Sequence, residues 1–405
     1  MAKILLIAPF YSDPQVSGGS IRVKNILKQI SINNDVHCIY FRDQLDETAK
    51  AKEFSKDGIK YSFWPNRVNL SKMPFFKKFG VEVRAVLARK SLKGPVQYPL
   101  APVKDKLRKL VKEGDYDFAI IEFTWLSEFV KFLKDEFPDL QLIVDSHNVE
   151  FYYDRQEVKN LPVLKRSFAK IFAGFLSVEE KSSIKLSDQT FCVSKTDLDL
   201  YHELIDIDLE KMQVAPNGVD VASYEEVSEH KDIKNFDLIF VGWMRYPPNI
   251  RSAKFIIEKI LPELPEQTTL AIVGGDPPEE IKDLASERIF VSGTVDDVKP
   301  YLQKAKVFVA PIFEGSGTRL KILEAFAAGK PVVCSAKAAE GIDFTDEEDI
   351  FIAKNASEYS AKITKLLKDD DLYSRASKAG KELAKQKYDW VVALKPIAEF
   401  INTPK

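Results

Sequence analysis

The chain has 405 residues, a hydrophobic content of 45% and a formal net charge of −2. This length favours two domains, and the charge balance gives no global signature of nucleic-acid binding. Three widely spaced cysteines, Cys38, Cys192 and Cys334, favour a reducing cytosol over a disulfide framework. The segment MAKILLIAPFY predicts a first strand rather than a signal peptide, and no apolar run approaches the roughly eighteen residues of a membrane span.

The first half of the chain alternates predicted strands and helices. The apolar run KILLIAP is typical of a parallel strand buried on both faces, and Gly18 and Gly19 then open a helix-like run to about residue 30. Further strands are predicted at 35–41, 118–123, 140–146 and 189–194, with a helix at 125–137. This alternation predicts an open parallel sheet with helices on both faces.

The second half repeats the pattern. Strands are predicted at 237–242, 269–275, 288–293, 307–311 and 331–335, with helical segments such as 249–261 between them. The predicted fold is therefore α/β, with two Rossmann-like, doubly wound parallel-sheet domains. Their interdomain cleft would lie at the carboxyl ends of the strands. The predicted boundaries are 1–208, 209–387 and a terminal helix in 388–405.

The segment EGSGTRLKILEAFAAGKPVV, residues 314–333, carries the most specific chemistry. A predicted strand enters a glycine-rich turn, and a helix with Arg319, Lys321 and Glu324 follows. Glycines let a backbone approach a ligand, and the free N–H groups of a helix N-terminus suit a phosphate. Glu324 is placed to hold ribose hydroxyls. The segment predicts a site for a nucleotide-sugar, and the alternative is an ordinary strand–turn–helix unit.

The run GSGTRLKILEA, followed by GKPVV, resembles the motif found in the sugar-transferase branch of glycosyltransferase family 4. The members of this branch are retaining enzymes with the GT-B fold. The resemblance covers nearly the whole chain and is strongest over 214–335. It implies metal-independent sugar transfer from a nucleotide-diphosphate sugar to a glycan or polyprenyl-linked acceptor, without a cofactor. It also implies a cytoplasmic protein of cell-surface polysaccharide or glycoconjugate synthesis, whose terminal helix crosses back to the N-terminal domain.

The resemblance also implies a set of binding residues in the loops that follow the strands. The implied nucleotide-sugar contacts are Gly18, Gly19, Gly242, Arg245, Gly274, Thr294, Val295, Ser316, Gly317, Thr318, Arg319, Lys321 and Glu324. The Gly18-Gly19 pair is not GxGxxG, so the dinucleotide fingerprint is absent and a plain tight turn is an equal alternative. A solvated loop cation is the alternative for Arg245, and Asn249 is predicted to cap the next helix.

The loop DSHNVE, residues 145–150, follows another predicted strand and supplies a candidate histidine. A single histidine, considered without its position in the fold, is more often a structural residue than a catalytic one. The resemblance implies that His147 contacts the donor sugar near the reaction centre. Glu150 is predicted to orient either the acceptor or the imidazole.

The chain departs from the family at its paired glutamates. Eight positions before Glu324 stands Ser316, and Glu314 is two residues earlier. Either Glu314 contacts the sugar, or Ser316 and backbone amides do. The donor sugar, base, acceptor, linkage and oligomeric state are all left open.

Aspartate-rich segments at 197–199, 206–208 and 369–371 are predicted to be solvated faces, so no metal site is predicted. Three other functions compete with the transferase. A sugar-nucleotide 2-epimerase shares the architecture, and a non-catalytic nucleotide-sugar-binding subunit would explain the missing glutamate. A nicotinamide oxidoreductase is disfavoured because GxGxxG is lacking.

Residues 66–112 contain thirteen Lys or Arg and only two acids, Glu82 and Asp105. Apolar residues recur there at near-helical spacing: Phe75, Phe76, Phe79, Val83, Val86 and Leu87. A basic amphipathic helix of this kind is typical of an anionic membrane surface, which suits a polyprenyl-linked acceptor at the inner face of the plasma membrane. The alternative is a domain helix with an apolar stripe in the core. Nucleic acid is a poorer partner, since no recognised module accompanies the charge.

Overall fold

The computed structural model shows two α/β units. It describes residues 1–403 apart from 12–16, 44–51, 95–96, 99, 159–160, 206, 208, 226–231 and 315–318. One unit comprises Met1–Pro216 with Leu394–Lys405, and the other comprises Asn217–Ala393. Both boundaries between the units lie further along the chain than the predicted ones, which were after residues 208 and 387. The first boundary is later because a short strand at Met212–Val214 completes the first sheet. In addition, the backbone of Val219 is hydrogen-bonded to Tyr388 and Trp390 within the second unit.

The first unit is built on an eight-stranded sheet in the order β3-β4-β2-β1-β5-β6-β7-β8. Its central strands are almost wholly apolar, as in β1, where five of six residues are buried. The strands are β1 Lys3–Ala8, β2 Asp35–Asp43, β3 Lys52–Lys56, β4 Ile59–Arg67, β5 Phe118–Glu122, β6 Gln141–Ser146, β7 Gln189–Cys192 and β8 Met212–Val214.

Helices connect these strands. The first begins at Gly18 because Ser17 and Ser20 form a capping box that satisfies two N-terminal amides. The helices are α1 Gly18–Ile30, α2 Phe75–Leu87, α3 Leu100–Gly114, α4 Ser127–Glu136, α5 Glu150–Glu157, α6 Val163–Leu186 and α7 Lys195–Ile205.

The sheet is parallel as predicted, except at one edge that the sequence predictions did not include. Strand β3 pairs antiparallel with β4. The two strands are joined by Asp57 and Gly58, which both adopt positive φ, 53° and 76°. An Asp-Gly pair of this conformation is the hairpin turn that matches strand twist, so the sequence contained the signal.

The second unit is built on a six-stranded sheet in the order β11-β10-β9-β12-β13-β14, with all recorded pairings parallel. Its strands are β9 Phe236–Val241, β10 Leu270–Val273, β11 Ile289–Val291, β12 Ala305–Ala310, β13 Val332–Cys334 and β14 Phe351–Ile352. Its helices are α8 Pro247–Phe255, α9 Glu279–Lys282, α10 Lys299–Gln303, α11 Leu320–Ala327, α12 Ala356–Lys368, α13 Asp370–Leu383 and α14 Trp390–Ala393.

In each sheet the chain builds strands on one side of its first strand and then on the other side, which creates a topological switch point. In the first sheet, the chain leaves β1 for β2 and later resumes on the other side of β1 with β5. In the second sheet, it leaves β9 for β10 and later resumes beside β9 with β12. Open α/β sheets bind ligands at such switch points, outside the carboxyl ends of the strands.

The last helix, α15 Lys395–Asn402, belongs to the first unit. The ring of Phe400 meets the rings of Phe118 and Phe191, with centroids 6.3 Å apart in each case. The terminal helix therefore covers the first sheet at β5 and β7. Among the described residues, no helix has the length and apolarity that crossing a bilayer requires.

Candidate functional site

A buried ion pair lies at the switch point of the first sheet. Arg22 of α1 points its guanidinium at Asp145 of β6, with Nε 2.7 Å from Oδ2 and Nη2 2.6 Å from Oδ1. Both side chains are fully buried. Burial alone would raise the pKa of Asp145, but the charge of Arg22 reverses this and holds the pKa below its ordinary value. Asp145 is therefore an anion, and Arg22 neutralises it.

The imidazole of His147 lies beside this pair. Its Nε2 is 2.8 Å from Oε2 of Glu122 and 3.2 Å from Oδ2 of Asp145. Burial disfavours the imidazolium, but the two carboxylates outweigh burial and raise the pKa of His147 above its ordinary value. Burial and the charge of Asp145 raise the pKa of Glu122 to about 7, against the opposing effect of His147.

Phe123 forms a platform under this imidazole. The two rings stack with centroids 3.9 Å apart and an interplanar angle of 18°. Phe123 has a φ of 76°, a conformation that is costly for an aromatic residue. Its N–H donates to the carbonyl of Asp145 at 2.8 Å, which ties β5 to β6 at this point. Strain of this kind, of order 1–3 kcal/mol, concentrates at functional sites.

The predicted Gly18-Gly19 turn opens α1 directly against the imidazole. A Cβ on Gly19 would lie 3.1 Å from Phe10, 3.3 Å from Phe123 and 3.5 Å from Nδ1 of His147. A Cβ on Gly19 would therefore press on Phe10 and Phe123 where α1 approaches the ring, whereas Gly18 is exposed at the first helical position. The phosphate contact implied for this pair stays a prediction.

The prediction for Glu150 needs one correction. The carboxylate that bonds the imidazole is Glu122, because Glu150 begins α5 and its side chain turns to other partners. Glu150 lies 2.5 Å from Nζ of Lys93 and accepts a hydrogen bond from Asn148 at 3.2 Å. Glu122 carried one sequence signal that the prediction did not use, namely a charged residue ending an otherwise apolar strand.

A second buried carboxylate holds the loop that carries His147. Glu180 of α6 accepts hydrogen bonds from Thr124, Tyr201 and the N–H of Phe151, at 2.7 to 2.8 Å. Burial, followed by the charge of Glu150, raises the pKa of Glu180 to about 8. The loop between β6 and α5 is therefore anchored on its far side.

Glu122, Asp145 and His147 also form a group whose donor atoms lie within 4.8 Å of one another, a spacing that a metal ion would accept. The charges do not fit such an ion. Arg22 already occupies both oxygens of Asp145, and Nε2 of His147 is bonded to Glu122. A divalent cation would stand against a guanidinium in a buried site, so these residues form a charge network rather than a metal site.

The predicted solvated face at 197–199 was wrong in one respect. Asp197 is buried and accepts a hydrogen bond from Ser194 at 2.6 Å, so it stabilises the start of α7. Asp206 and Asp208 lie outside the described residues.

The second unit places Lys321 at its own switch point. Helix α11 begins at Leu320 with Arg319 at its N-cap, so both cations stand at the start of the helix as predicted. Nζ of Lys321 is 2.9 Å from Oδ1 of Asn249 and 4.9 Å from the centroid of Phe240. Burial, and then the charge of Arg319, lower the pKa of Lys321 to about 7.

Two predicted glycines allow the backbone to pack closely next to this lysine. Gly274 has a φ of 140°, and a Cβ there would lie 2.0 Å from the carbonyl oxygen of Gly242. A Cβ on Gly242 would lie 2.8 Å from Asn249 and 3.0 Å from Nζ of Lys321. The loops after β9 and β10 therefore meet through backbone atoms, and Lys321 lies against them.

The predicted capping role of Asn249 was wrong. Helix α8 begins two residues earlier, at Pro247, because proline suits the first helical position. Asn249 lies inside the helix and is buried. Its Nδ2 donates to the carbonyl of Trp243 at 2.9 Å while its Oδ1 accepts from Lys321. Asn249 therefore links the loop after β9 to α11.

Glu324 lies one turn further along α11, where its carboxylate is hydrogen-bonded to Tyr224. Burial is the main cause of the raised pKa of Glu324, and Lys321 opposes it. Thr294 accepts a hydrogen bond from the N–H of Asp276 at 3.3 Å, and Val295 packs on the core of the second unit.

The remaining predicted residues have other partners or cannot be placed. Nε of Arg245 is 3.4 Å from Oδ2 of Asp276. The carboxylate of Glu314 pairs with Arg251, and its carbonyl accepts a hydrogen bond from Arg319 at 3.1 Å. Ser316, Gly317 and Thr318 lie outside the described residues.

Comparison with known proteins shows what the segment around this second site is similar to. Residues 235–369 match the family Glycosyl transferases group 1. A phosphatidyl-myo-inositol mannosyltransferase from Mycobacterium leprae is 28% identical over 199 residues, which are 46% of this chain and 52% of that protein. The UDP-Gal:alpha-D-GlcNAc-diphosphoundecaprenol alpha-1,3-galactosyltransferase of Escherichia coli is 26% identical over 190 residues, 42% of this chain and 48% of that protein. The chain spans about half the length of these curated relatives.

The fold extends the likeness to the whole chain. The crystal structure of Anabaena HepE in complex with UDP and glucose matches with a TM-score of 0.68 at 16% identity, covering 100% of both chains. This likeness shows the fold. Residues 235–369 are therefore similar to the group 1 glycosyl transferases, and the fold of the chain is GT-B, as the resemblance to glycosyltransferase family 4 predicted.

Proposed function

We propose that the protein is a retaining, metal-independent glycosyltransferase that moves a sugar from a nucleotide-diphosphate sugar to a glycan or lipid-linked acceptor. The observation that carries this proposal is the position of Lys321. It stands at the start of α11, at the switch point of the sheet, inside the segment that matches the group 1 glycosyl transferases. Fixed cations and helix N–H groups stabilise the charge that develops on a departing diphosphate.

The second unit would hold the nucleotide half of the donor. Lys321 is already oriented by Asn249, and Arg319 precedes it. Burial keeps this ammonium poorly solvated, so a diphosphate would replace missing water rather than compete with it. Glu324 would accept hydrogen bonds from ribose hydroxyls, and Gly242 and Gly274 let the loops after β9 and β10 meet beside Lys321.

The first unit would supply the group near the reacting sugar. His147 has a raised pKa, so it can carry a positive charge near neutral pH. In a same-face displacement, the leaving β-phosphate oxygen takes the proton of the acceptor hydroxyl as the new glycosidic bond forms. The imidazolium would donate a hydrogen bond to the sugar and stabilise the charge that is redistributed in the transition state.

A lipid-linked acceptor is supported by a surface on the first unit. Helix α2 has thirteen residues, of which only Ala85 is buried. Phe76 and Leu87 are 85% and 80% exposed, and nearby α6 also exposes Phe168 and Ile171. The segment 66–112, which contains α2, is rich in Lys and Arg, and an exposed apolar face in a basic segment suits an anionic bilayer. The two curated relatives act, by their names, on a phosphatidylinositol and on a diphosphoundecaprenol.

The experiment that tests the function is a binding and turnover screen. Thermal shift with UDP-, GDP-, ADP- and dTDP-sugars would identify the donor, because a ligand that binds the native state raises its melting temperature. Turnover of that donor with a polyprenyl diphosphate sugar would then be followed by mass spectrometry. The anomeric configuration of the product would show whether the configuration of the donor sugar is retained. Transfer rates that do not change when a metal chelator is added would show that the reaction needs no metal.

Two other outcomes would replace the proposal. An epimerised nucleotide-sugar formed without an acceptor would indicate a 2-epimerase. Tight donor binding without transfer or hydrolysis, across a broad acceptor screen, would indicate a non-catalytic binding subunit. Stabilisation by none of the nucleotide-sugars would reject the nucleotide site itself.

A further inference from the structure

The buried carboxylate of Glu122 is only partly satisfied by hydrogen bonds among the described residues. Its Oε2 lies 2.8 Å from Nε2 of His147, and within the described residues its Oε1 has no hydrogen-bond partner. Its side chain is fully buried at the end of β5. Burying a carboxylate with one oxygen unsatisfied costs folding free energy, so a functional reason is expected.

The geometry determines which nitrogen of His147 carries the proton. Nε2 lies 2.8 Å from Oε2 of Glu122 and 3.2 Å from Oδ2 of Asp145, and an anion such as Asp145 can only accept, so Nε2 keeps its hydrogen. The other nitrogen, Nδ1, lies at the ring edge that faces Gly19. A Cβ atom placed on Gly19 would be 3.5 Å from this nitrogen. The stacked ring of Phe123 prevents the imidazole from tilting out of this plane. Only Nδ1 is then available to a substrate.

We propose that Glu122 is the positioning residue for His147: it holds the proton on Nε2 and presents Nδ1 to the bound sugar. This assignment rests on the proposed transferase function. Glu122 itself touches no substrate and acts through the imidazole. A donated hydrogen bond from Nδ1 to the sugar requires the imidazolium, and Glu122 is the counter-charge that keeps it.

The surrounding charges support this role. Asp145 accepts two hydrogen bonds from Arg22 and also faces His147, whereas the hydrogen bond that Glu122 accepts comes from His147. The nearby thiols of Cys38 and Cys192 have pKa values raised by burial and are neutral. As the pH rises, the imidazolium loses the proton on Nδ1 to solvent while Nε2 keeps its own. Removing the carboxylate makes that loss easier.

The test compares Glu122→Gln with Glu179→Gln, a matched control at a buried glutamate that is bonded to Ser91 instead. Selective ¹⁵N labelling of the four histidines follows each titration, and His147→Gln assigns the resonance of His147. In Glu122→Gln, the titration midpoint of His147 falls by about one pH unit or more. At pH values above the wild-type midpoint, kcat falls about tenfold for each pH unit of that shift while KM changes little, and the alkaline limb of kcat moves to lower pH.

The proposal is overturned if folded Glu122→Gln keeps the wild-type midpoint and the wild-type kcat profile. Should that variant not fold, the wild-type protein decides the question. An Nδ1-protonated tautomer of neutral His147 would reject the assignment, and an Nε2-protonated tautomer supports it. These spectra do not depend on turnover. If the wild-type protein transfers no sugar, the proposed function is wrong, and the titration still shows whether Glu122 controls the protonation of His147.

Discussion

Arg22 and Asp145 are joined by two short hydrogen bonds, of 2.6 and 2.7 Å, although 123 residues separate them in the chain. Arg22 also donates to the carbonyl of Pro216 at 3.1 Å, so one guanidinium ties α1, β6 and the end of the first unit together. We expect Arg22→Met to destabilise the first unit by about 3–5 kcal/mol, because it leaves a buried carboxylate unpaired. Thermal unfolding would measure this loss.

The double variant Arg22→Met with Asp145→Leu is the control for that prediction. Replacing both members of a buried ion pair with apolar residues removes the unpaired charge, so most of the stability should return. A double variant as unstable as the single one would show that the destabilisation comes from lost packing of α1.

His147→Ala should lower kcat by about 10²- to 10⁴-fold once a donor has been identified. The reason is the loss of the charged imidazole that we propose contacts the sugar. His202→Ala is the matched control, because His202 is exposed on α7. Full transfer activity in His147→Ala would refute the role of this histidine, whereas an equal loss in both variants would point to a general defect.

Lys321 should make nucleotide-sugar binding depend on pH. Burial lowers its pKa to about 7 in the free protein, and a bound diphosphate would raise it. Binding would therefore take up about half a proton at pH 7 and nearly one at pH 8, and affinity would fall as the pH rises. Calorimetry of the donor in buffers of different ionisation enthalpy measures this uptake.

The matched control for this lysine is Lys330→Met. Lys330 also has a pKa lowered by burial, to about 8, but its Nζ donates to the carbonyl of Gln303. We expect Lys321→Met to abolish the proton uptake and Lys330→Met to leave it unchanged. Equal uptake in wild type and Lys321→Met would place the diphosphate elsewhere.

Gly274→Ala should destabilise the second unit and abolish donor binding. Its Cβ would lie 2.0 Å from the carbonyl of Gly242, so the loops after β9 and β10 would have to separate. Gly293→Ala is the control for backbone strain alone, since Gly293 also has a positive φ of 70° but no heavy atom lies within 4 Å of its Cβ position. We expect a clearly larger fall in melting temperature for Gly274→Ala. Equal falls would show that strain at positive φ dominates.

The exposed surface of α2 should bind anionic vesicles. Phe75 and Phe76 are 75% and 85% exposed, so serine at both positions removes apolar area without opening the core. We expect flotation with phosphatidylglycerol vesicles to be lost in this double variant and weakened by salt in the wild type. Ile32→Ser, at a 65% exposed apolar residue after α1, should bind like the wild type. If the wild type does not bind the vesicles, or binds them independently of salt, the proposed membrane contact is wrong. If the wild type self-associates and the double variant does not, a second copy of the chain covers α2 instead.

Much of the fold could be predicted because buried parallel strands are continuous apolar runs. The run KILLIAP and the second-half strands gave this signal directly. Strand β3 was missed because its side chains are mostly exposed and polar, and only the Asp57-Gly58 turn marks it. Strand β14 has two residues, too few for any periodicity.

The candidate site was harder to predict where residues act through contacts distant in sequence. Lys321 and Gly274 were found because they belong to local motifs. Glu122 and Arg22 were missed, since their importance depends on a pairing across three elements that no local pattern contains. The spacing on α2 predicted an amphipathic helix but could not show which face is exposed.

The closing helix α15 has a consequence for synthesis on the ribosome. Domains generally fold as units as they emerge, yet the first unit needs residues from 394 onwards, which are translated after the entire second unit. Until then the aromatic faces of Phe118 and Phe191 lack their partner, Phe400. The nascent chain therefore carries an uncovered apolar patch for the duration of some 177 further codons, those of Asn217–Ala393, and is a natural client for chaperones during that interval.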